Sequence, residues 1–135
     1  MTRILDAHAL LAYLEKEPGY EIVKAAFLDA VDKDTKVLMT SVNFGEVYYI
    51  IMRECGQQKA DEFEKIIQSL PIEIVDVDMT LAREAAKLKA KYRISYADCF
   101  AASLTKIARK GELLTGDEEF DLLKNVVKIH WLESS

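Results

Sequence analysis

A chain of 135 residues, 50% hydrophobic and 30% charged, is long enough to bury one ordinary core and too apolar to stay disordered. With only 5 Gly and 2 Pro there is no flexible linker, so one domain over residues 1–135 is expected. The net charge of −5 argues against a partner gripped through phosphates, unless the acids are gathered in one place and neutralised there by metal.

Arg3 to Asp6 reads as a short strand. Helices are predicted over Ala7–Glu15 and Tyr20–Val31, with Pro18-Gly19 breaking them apart. The second places Ile22, Val23, Ala26, Phe27 and Ala30 on one face. Lys36–Thr40 is a second strand. Asn43–Cys55 is a helix rich in large apolar residues and ended by Gly56. Another helix is expected over Gln58–Leu70, with Phe63, Ile66, Ile67 and Leu70 as its stripe and Pro71 as its stop. Ile72–Val77 alternates like a strand. Met79–Tyr92 carries Leu81, Ala85, Leu88 and Tyr92 at helical spacing, and Tyr96–Arg109 is a further helix ended by Gly111. Glu112–Thr115 reads as a strand, Glu118–Lys124 as a short helix and Val126–Leu132 as a last strand. Strands alternating with helices need crossover connections, so the fold class is α/β, with a mainly parallel sheet covered on both faces.

In such sheets ligands bind outside the carboxyl ends of the strands. Acidic residues fall there. Asp6 ends the first strand, Glu46 lies in about the first turn of the helix after the second, and Asp117 follows the fourth strand. Asp98 opens the helix before that strand, and nothing local fixes which edge it occupies. Taken singly, each has a plain structural reading. Asp6 can cap the helix at Ala7 and Asp117 the helix at Glu118; Asn43 and Glu46 fit a cap followed by an acid; Ser95 to Asp98 matches a capping box. The set is harder to explain this way. Two carboxylates about 4 Å apart repel by ~4 kcal/mol at an effective dielectric of 20. A divalent cation cancels that repulsion, and carboxylates are the ligands that Mg²⁺ and Mn²⁺ prefer.

These residues also carry a resemblance. Ile4-Leu5-Asp6-Ala7-His8, Thr40-Ser41-Val42-Asn43-Phe44-Gly45-Glu46, Ser95-Tyr96-Ala97-Asp98 and Leu114-Thr115-Gly116-Asp117 resemble, in order, the four motifs of PIN-domain ribonucleases. Among these the chain is most similar to the VapC-type toxins of toxin–antitoxin pairs. The resemblance spans essentially the whole chain. It implies a three-layer α/β/α sandwich and endonucleolytic cleavage of RNA with Mg²⁺ or Mn²⁺. Asp6, Glu46, Asp98 and Asp117 would form the acidic metal site, with Thr115 orienting the fourth acid or its water. It also implies a homodimer and a small antitoxin protein as partner. One position departs from the pattern: two residues after the first Asp the family often has Ser, Thr, Asn or Asp, and here stands His8. An imidazole can bind metal or phosphate; a first-turn residue pointing away is the preferred reading.

Other features have bland readings. The basic run Lys87, Lys89, Lys91, Arg93 and the group Lys106, Arg109, Lys110 read as solvated helix faces, with Arg93 the one candidate for RNA contact. Tyr13, Tyr48 and Tyr49 can stack bases, although packing is expected for at least two. The apolar stretch from Phe44 to Met52 fits either a partner surface or a doubly covered core. Cys55 and Cys99 form no CxxC pair and lie at no zinc spacing, and Cys99 reads as a small buried hydrophobe. The start reaches a charge too soon for a secretory signal and no apolar run suffices for a membrane span, so a cytoplasmic protein without a membrane partner is expected. Two other functions compete. A phosphatase with Asp6 as nucleophile wants a second Asp where His8 stands; a catalytically inactive PIN-like domain binding RNA or protein leaves the full acid set without a purpose.

Overall fold

The first strand is the middle of the sheet. The computed structural model describes residues 1–132. Its five strands are β1 (Thr2–Leu5), β2 (Val37–Thr40), β3 (Ile72–Val75), β4 (Gly111–Thr115) and β5 (Lys128–Trp131), in the order β3-β2-β1-β4-β5. Every pairing is parallel, so the carboxyl ends of all the strands share one edge. The helices are α1 (Ala7–Leu14), α2 (Tyr20–Asp32), α3 (Ser41–Cys55), α4 (Gln57–Ser69), α5 (Met79–Lys91) and α6 (Tyr96–Ile107), with a 3-10 helix over Glu118–Leu123.

Alternation along the strands divides the apolar residues between two cores. Leu5, Met39 and Leu114 point to one face and pack with Leu10 of α1, Val23 and Phe27 of α2, Val47 of α3 and Phe63 of α4. Ile4 and Leu113 point to the other, where Leu81 and Leu88 of α5, Phe100 of α6, and Phe120 and Leu123 of the 3-10 helix cover them. Ile4, Leu5, Leu113 and Leu114 are fully buried, as a sheet covered on both faces requires. This is the expected three-layer arrangement, with a sheet that is wholly rather than mainly parallel.

The differences from expectation lie at element ends, and each has a cause. β1 stops at Leu5, because Asp6 turns out of the strand to cap α1, accepting from the Ala9 N–H at 2.8 Å. Thr40 rather than Asn43 caps α3, so that helix begins two residues earlier, at Ser41, and Glu46 falls in its second turn. β3 ends at Val75, and the Val77 N–H donates to Ser41 Oγ at 3.3 Å. β5 is shorter than predicted, because the N–H groups of Val126 and Val127 both turn back to the Leu123 carbonyl. Gly111 does not end α6, which stops at Ile107; it opens β4 where a Cβ would sit 2.1 Å from the Thr105 carbonyl oxygen. Only glycine lets the strand pass that close to the helix backbone.

Candidate active site

The site starts from Asp6 and Thr115. β1 and β4 run in register, Leu5 beside Leu114, so the next residue of each strand meets its neighbour at the carboxyl edge. There Thr115 Oγ1 donates to Asp6 Oδ2 at 2.5 Å, while accepting from the Asp117 N–H at 3.0 Å. One hydroxyl thus ties the first acid to the loop that carries the last. Asp6 uses its other oxygen for the α1 cap, so the structural and the functional readings of this residue hold together. Asp117 caps the 3-10 helix in the same way, accepting from the Glu119 N–H at 2.9 Å.

Glu46 and Asp98 arrive from α3 and α6, which Asn43 holds together. Its backbone N–H donates to Thr40 Oγ1 at 3.0 Å, its side-chain carbonyl accepts from that hydroxyl at 2.5 Å, and its Nδ2 donates to the Ala97 carbonyl at 3.1 Å. The last bond pins the first turn of α6 against the first turn of α3. That bond fixes the edge on which Asp98 lies, which sequence left open. Ser95 accepts from the Asp98 N–H at 3.2 Å. The reciprocal half of the capping box is not made among the described residues; the Asp98 carboxyl lies with Asp117 and Glu119, with oxygens of all three within 4.8 Å of one another.

All four predicted acids therefore act on one another. Asp6 is pushed up to about 7, first by burial and then by the charges of Asp117 and Glu46, against the lowering bonds from Thr115 and Ala9. Asp98 is pushed up to about 8 by burial and by the charges of Asp117, Asp6 and Glu46. Burial raises Glu46 as well; Asn43 opposes the rise and Asp117 adds to it. Glu46 Oε1 is buried and has no hydrogen-bond partner among the described residues. An unsatisfied buried carboxylate oxygen is costly, by about 1–3 kcal/mol or more for a charged group. An all-oxygen donor set with a spare acceptor fits a hard divalent cation. Asp98, Asp117 and Glu119 bring oxygens near enough to one another to share such an ion; Asp6 and Glu46 are not in that group and reach it through their charges.

Two neighbours of the site escaped the sequence reading. Glu119 joins Asp98 and Asp117; its place two residues beyond Asp117, at a helix start, was the available signal. His8 does not point away from the site. Its ring lies over Gly116, where a Cβ would come 2.5 Å from the imidazole Cε1, between Thr115 and Asp117.

The remaining candidates stand elsewhere. Lys87 pairs with Glu84 at 3.3 Å, Lys89 donates to the Ile94 carbonyl at 2.9 Å, and Lys91 lies over the Tyr92 ring. Arg93 is exposed just before α6. Lys106, Arg109 and Lys110 are exposed at the opposite edge, where the Lys110 carbonyl accepts from the Thr2 N–H at the start of β1. Tyr13 packs edge-on against Phe27, and Tyr48 packs on the first core and donates to Asp61 at 2.8 Å. Tyr49 is exposed under the Arg53 guanidinium. Phe44 stacks on Phe63, so much of the apolar excess of α3 serves its contact with α4. Cys99 is buried and Cys55 exposed. No helix among the described residues is long and apolar enough to cross a membrane.

Comparison with known proteins places this edge in a family. The chain is 27% identical over 135 residues to a ribonuclease VapC of Mycolicibacterium smegmatis, covering 94% of this chain and 99% of that protein. Its fold matches VapBC2 of Rickettsia felis, bound to a fragment of promoter DNA, with a TM-score of 0.76 at 19% identity over 98% of this chain and 100% of that one. It also matches VapC20 of Mycobacterium tuberculosis, a toxin that cleaves the sarcin-ricin loop, with a TM-score of 0.63 at 16% identity over 90% and 94% of the two chains. The PIN domain family model matches residues 3–126, and the chain belongs to the PIN-domain family.

Proposed function

We propose that this chain is a metal-dependent endoribonuclease that hydrolyses RNA phosphodiester bonds, the toxin of a VapBC-type toxin–antitoxin pair. The observation that carries the reading is the gathering of Asp6, Glu46, Asp98 and Asp117 at one sheet edge, with Glu46 Oε1 buried and unpartnered. Repulsion of this size is not assembled for stability. These four residues would hold Mg²⁺ or Mn²⁺, and Glu119 lies close enough to Asp98 and Asp117 to share the site. Such an ion would supply Lewis-acid chemistry, acidifying a bound water and offsetting charge on the phosphoryl group.

The protein's own residues do the positioning. Thr115 fixes the Asp6 carboxyl by donating from Oγ1 to Oδ2, and its Oγ1 also accepts from the Asp117 backbone N–H. Asn43 keeps Glu46 and Asp98 on the same side by linking α3 to α6. Glu46 Oε1 is an unused acceptor, fit to take a hydrogen bond from a water or a proton released at the site. Asp6 makes a poor nucleophile, because both of its oxygens already accept hydrogen bonds, which weighs against the phosphatase alternative.

The described residues are proposed to act as one PIN-like domain. VapBC assemblies among the similar structures support a small antitoxin as partner. A second copy of the chain is a further proposed partner, consistent with exposed Leu28 and Val31 on α2. The test is cleavage of labelled total RNA by the purified protein with Mg²⁺, with Mn²⁺ and with EDTA. Metal-dependent cutting that vanishes in folded Asp6→Asn and Asp98→Asn variants supports the reading. Cutting that survives in both variants places the activity elsewhere. Absence of cutting, together with absence of Mn²⁺ binding, returns the chain to the inactive binding-domain alternative.

A further inference from the structure

Asp6 and Thr115 belong to a row that continues onto a tryptophan. β4 pairs Thr115 with Trp131 of β5, and the Leu132 N–H donates to the Thr115 carbonyl at 2.9 Å. Adjacent strands lie about 4.8 Å apart, so Trp131 stands two strands, roughly 10 Å, from Asp6 along the carboxyl edge. Trp131 is 40% exposed. Beside it lies a shallow depression open to solvent, to which Glu118, Asp121 and Trp131 contribute among the described residues, with Glu118 and Asp121 carried by the 3-10 helix that follows Asp117. Neither acid belongs to the metal-holding set, and both are exposed.

We propose that Glu118, Asp121 and Trp131 form a nucleobase subsite holding a base that flanks the cut, with guanine its preferred occupant. The indole offers a stacking face to any base. Asp121 has Lys124 Nζ at 3.8 Å, but the two carboxylates leave the place net negative and unfavourable to phosphate, so the base rather than the backbone enters. Carboxylates accept only, so they select bases that present N–H groups on the exposed edge. Guanine presents two adjacent donors, N1–H and N2–H₂, which one carboxylate takes together; uracil presents a single N–H between two carbonyls. The depression is open enough for a base to lie on the indole with its edge toward the acids. Its place in the row of Asp6 and Thr115 favours substrate over a basic side chain of a protein partner, which would also suit an indole beside two acids.

The inference rests on the RNA-cleaving reading, and its test is separable from cleavage. Trp131 is the sole tryptophan of the chain, so its fluorescence reports this depression alone. The full chain is titrated in EDTA with a short uridine-only RNA, with the same RNA carrying one guanosine, and with N-acetyl-arginine amide. Saturable quenching is expected that is at least several-fold tighter for the guanosine RNA, and Glu118→Gln with Asp121→Asn is expected to erase the difference. In cleavage, Trp131→Ala is expected to raise KM roughly 5- to 150-fold at unchanged kcat, while Trp131→Phe retains most of the affinity. Guanosine-dependent quenching without cleavage upholds the subsite and sinks the nuclease. Cleavage with no base-dependent quenching, or quenching by the arginine probe alone, overturns the subsite.

Discussion

The aspartates at the centre of the site carry opposing demands. An aspartate in the unfolded chain titrates near 3.8, whereas Asp6 is pushed up to about 7 and Asp98 to about 8. Between those limits the folded chain binds more protons than the unfolded one, so stability in EDTA is expected to fall as pH rises from about 4 to about 8. Thermal melts across that range check the sign. Asp98→Asn, which removes the buried charge, is expected to flatten the slope and to melt higher than the parent at pH 8. Gly116→Ala pushes against the His8 ring, a side chain that can swing aside, so a stability change within about 1 kcal/mol is expected. That Asp6 and Asp117 lie at the carboxyl edge was legible in sequence because each follows a strand, while the edge of Asp98 was not. The direction of His8 and the approach of Glu119 were not, because contacts across the site decide them.

Elements were easier to place than their ends. Hydrophobic period identified each strand and helix, since burial on two faces leaves few alternatives. Ends followed particular hydrogen bonds: Thr40 rather than Asn43 capping α3, or Val126 and Val127 turning back to Leu123. The reason Asp98 faces the other acids was also hidden, because it depends on Asn43 reaching Ala97 across 54 residues of sequence. Asn43→Ala leaves the Ala97 carbonyl and the Thr40 hydroxyl short of a partner. A loss of about 1–3 kcal/mol is expected in urea unfolding, with a fall in cleavage rate larger than the fall in RNA affinity. At Gly111 a Cβ meets the Thr105 backbone at 2.1 Å, and backbone cannot swing aside. Gly111→Ala is expected to destabilise by about 1–3 kcal/mol or more, read by the same unfolding curves.

At the scale of the whole molecule, charge and function appear at odds, since a protein of net charge −5 is proposed to bind RNA. The conflict eases when cations neutralise the acids, so RNA binds without metal but its affinity is expected to rise with Mn²⁺ rather than fall. The fold itself was legible as α/β; strand order was not, because neither β1's central place nor the β2 to β3 crossover leaves a local mark. The central claim is that Asp6, Glu46, Asp98 and Asp117 converge to hold a divalent cation. Its most direct test is calorimetric titration of Mn²⁺ into the chain at pH 7, repeated in two buffers of different ionisation enthalpy. Binding is expected to release on the order of one proton, because raised aspartates must deprotonate to become ligands, and to weaken sharply in Asp6→Asn and Asp98→Asn. Binding that releases no proton and survives in both variants, or no binding at all, would contradict the account.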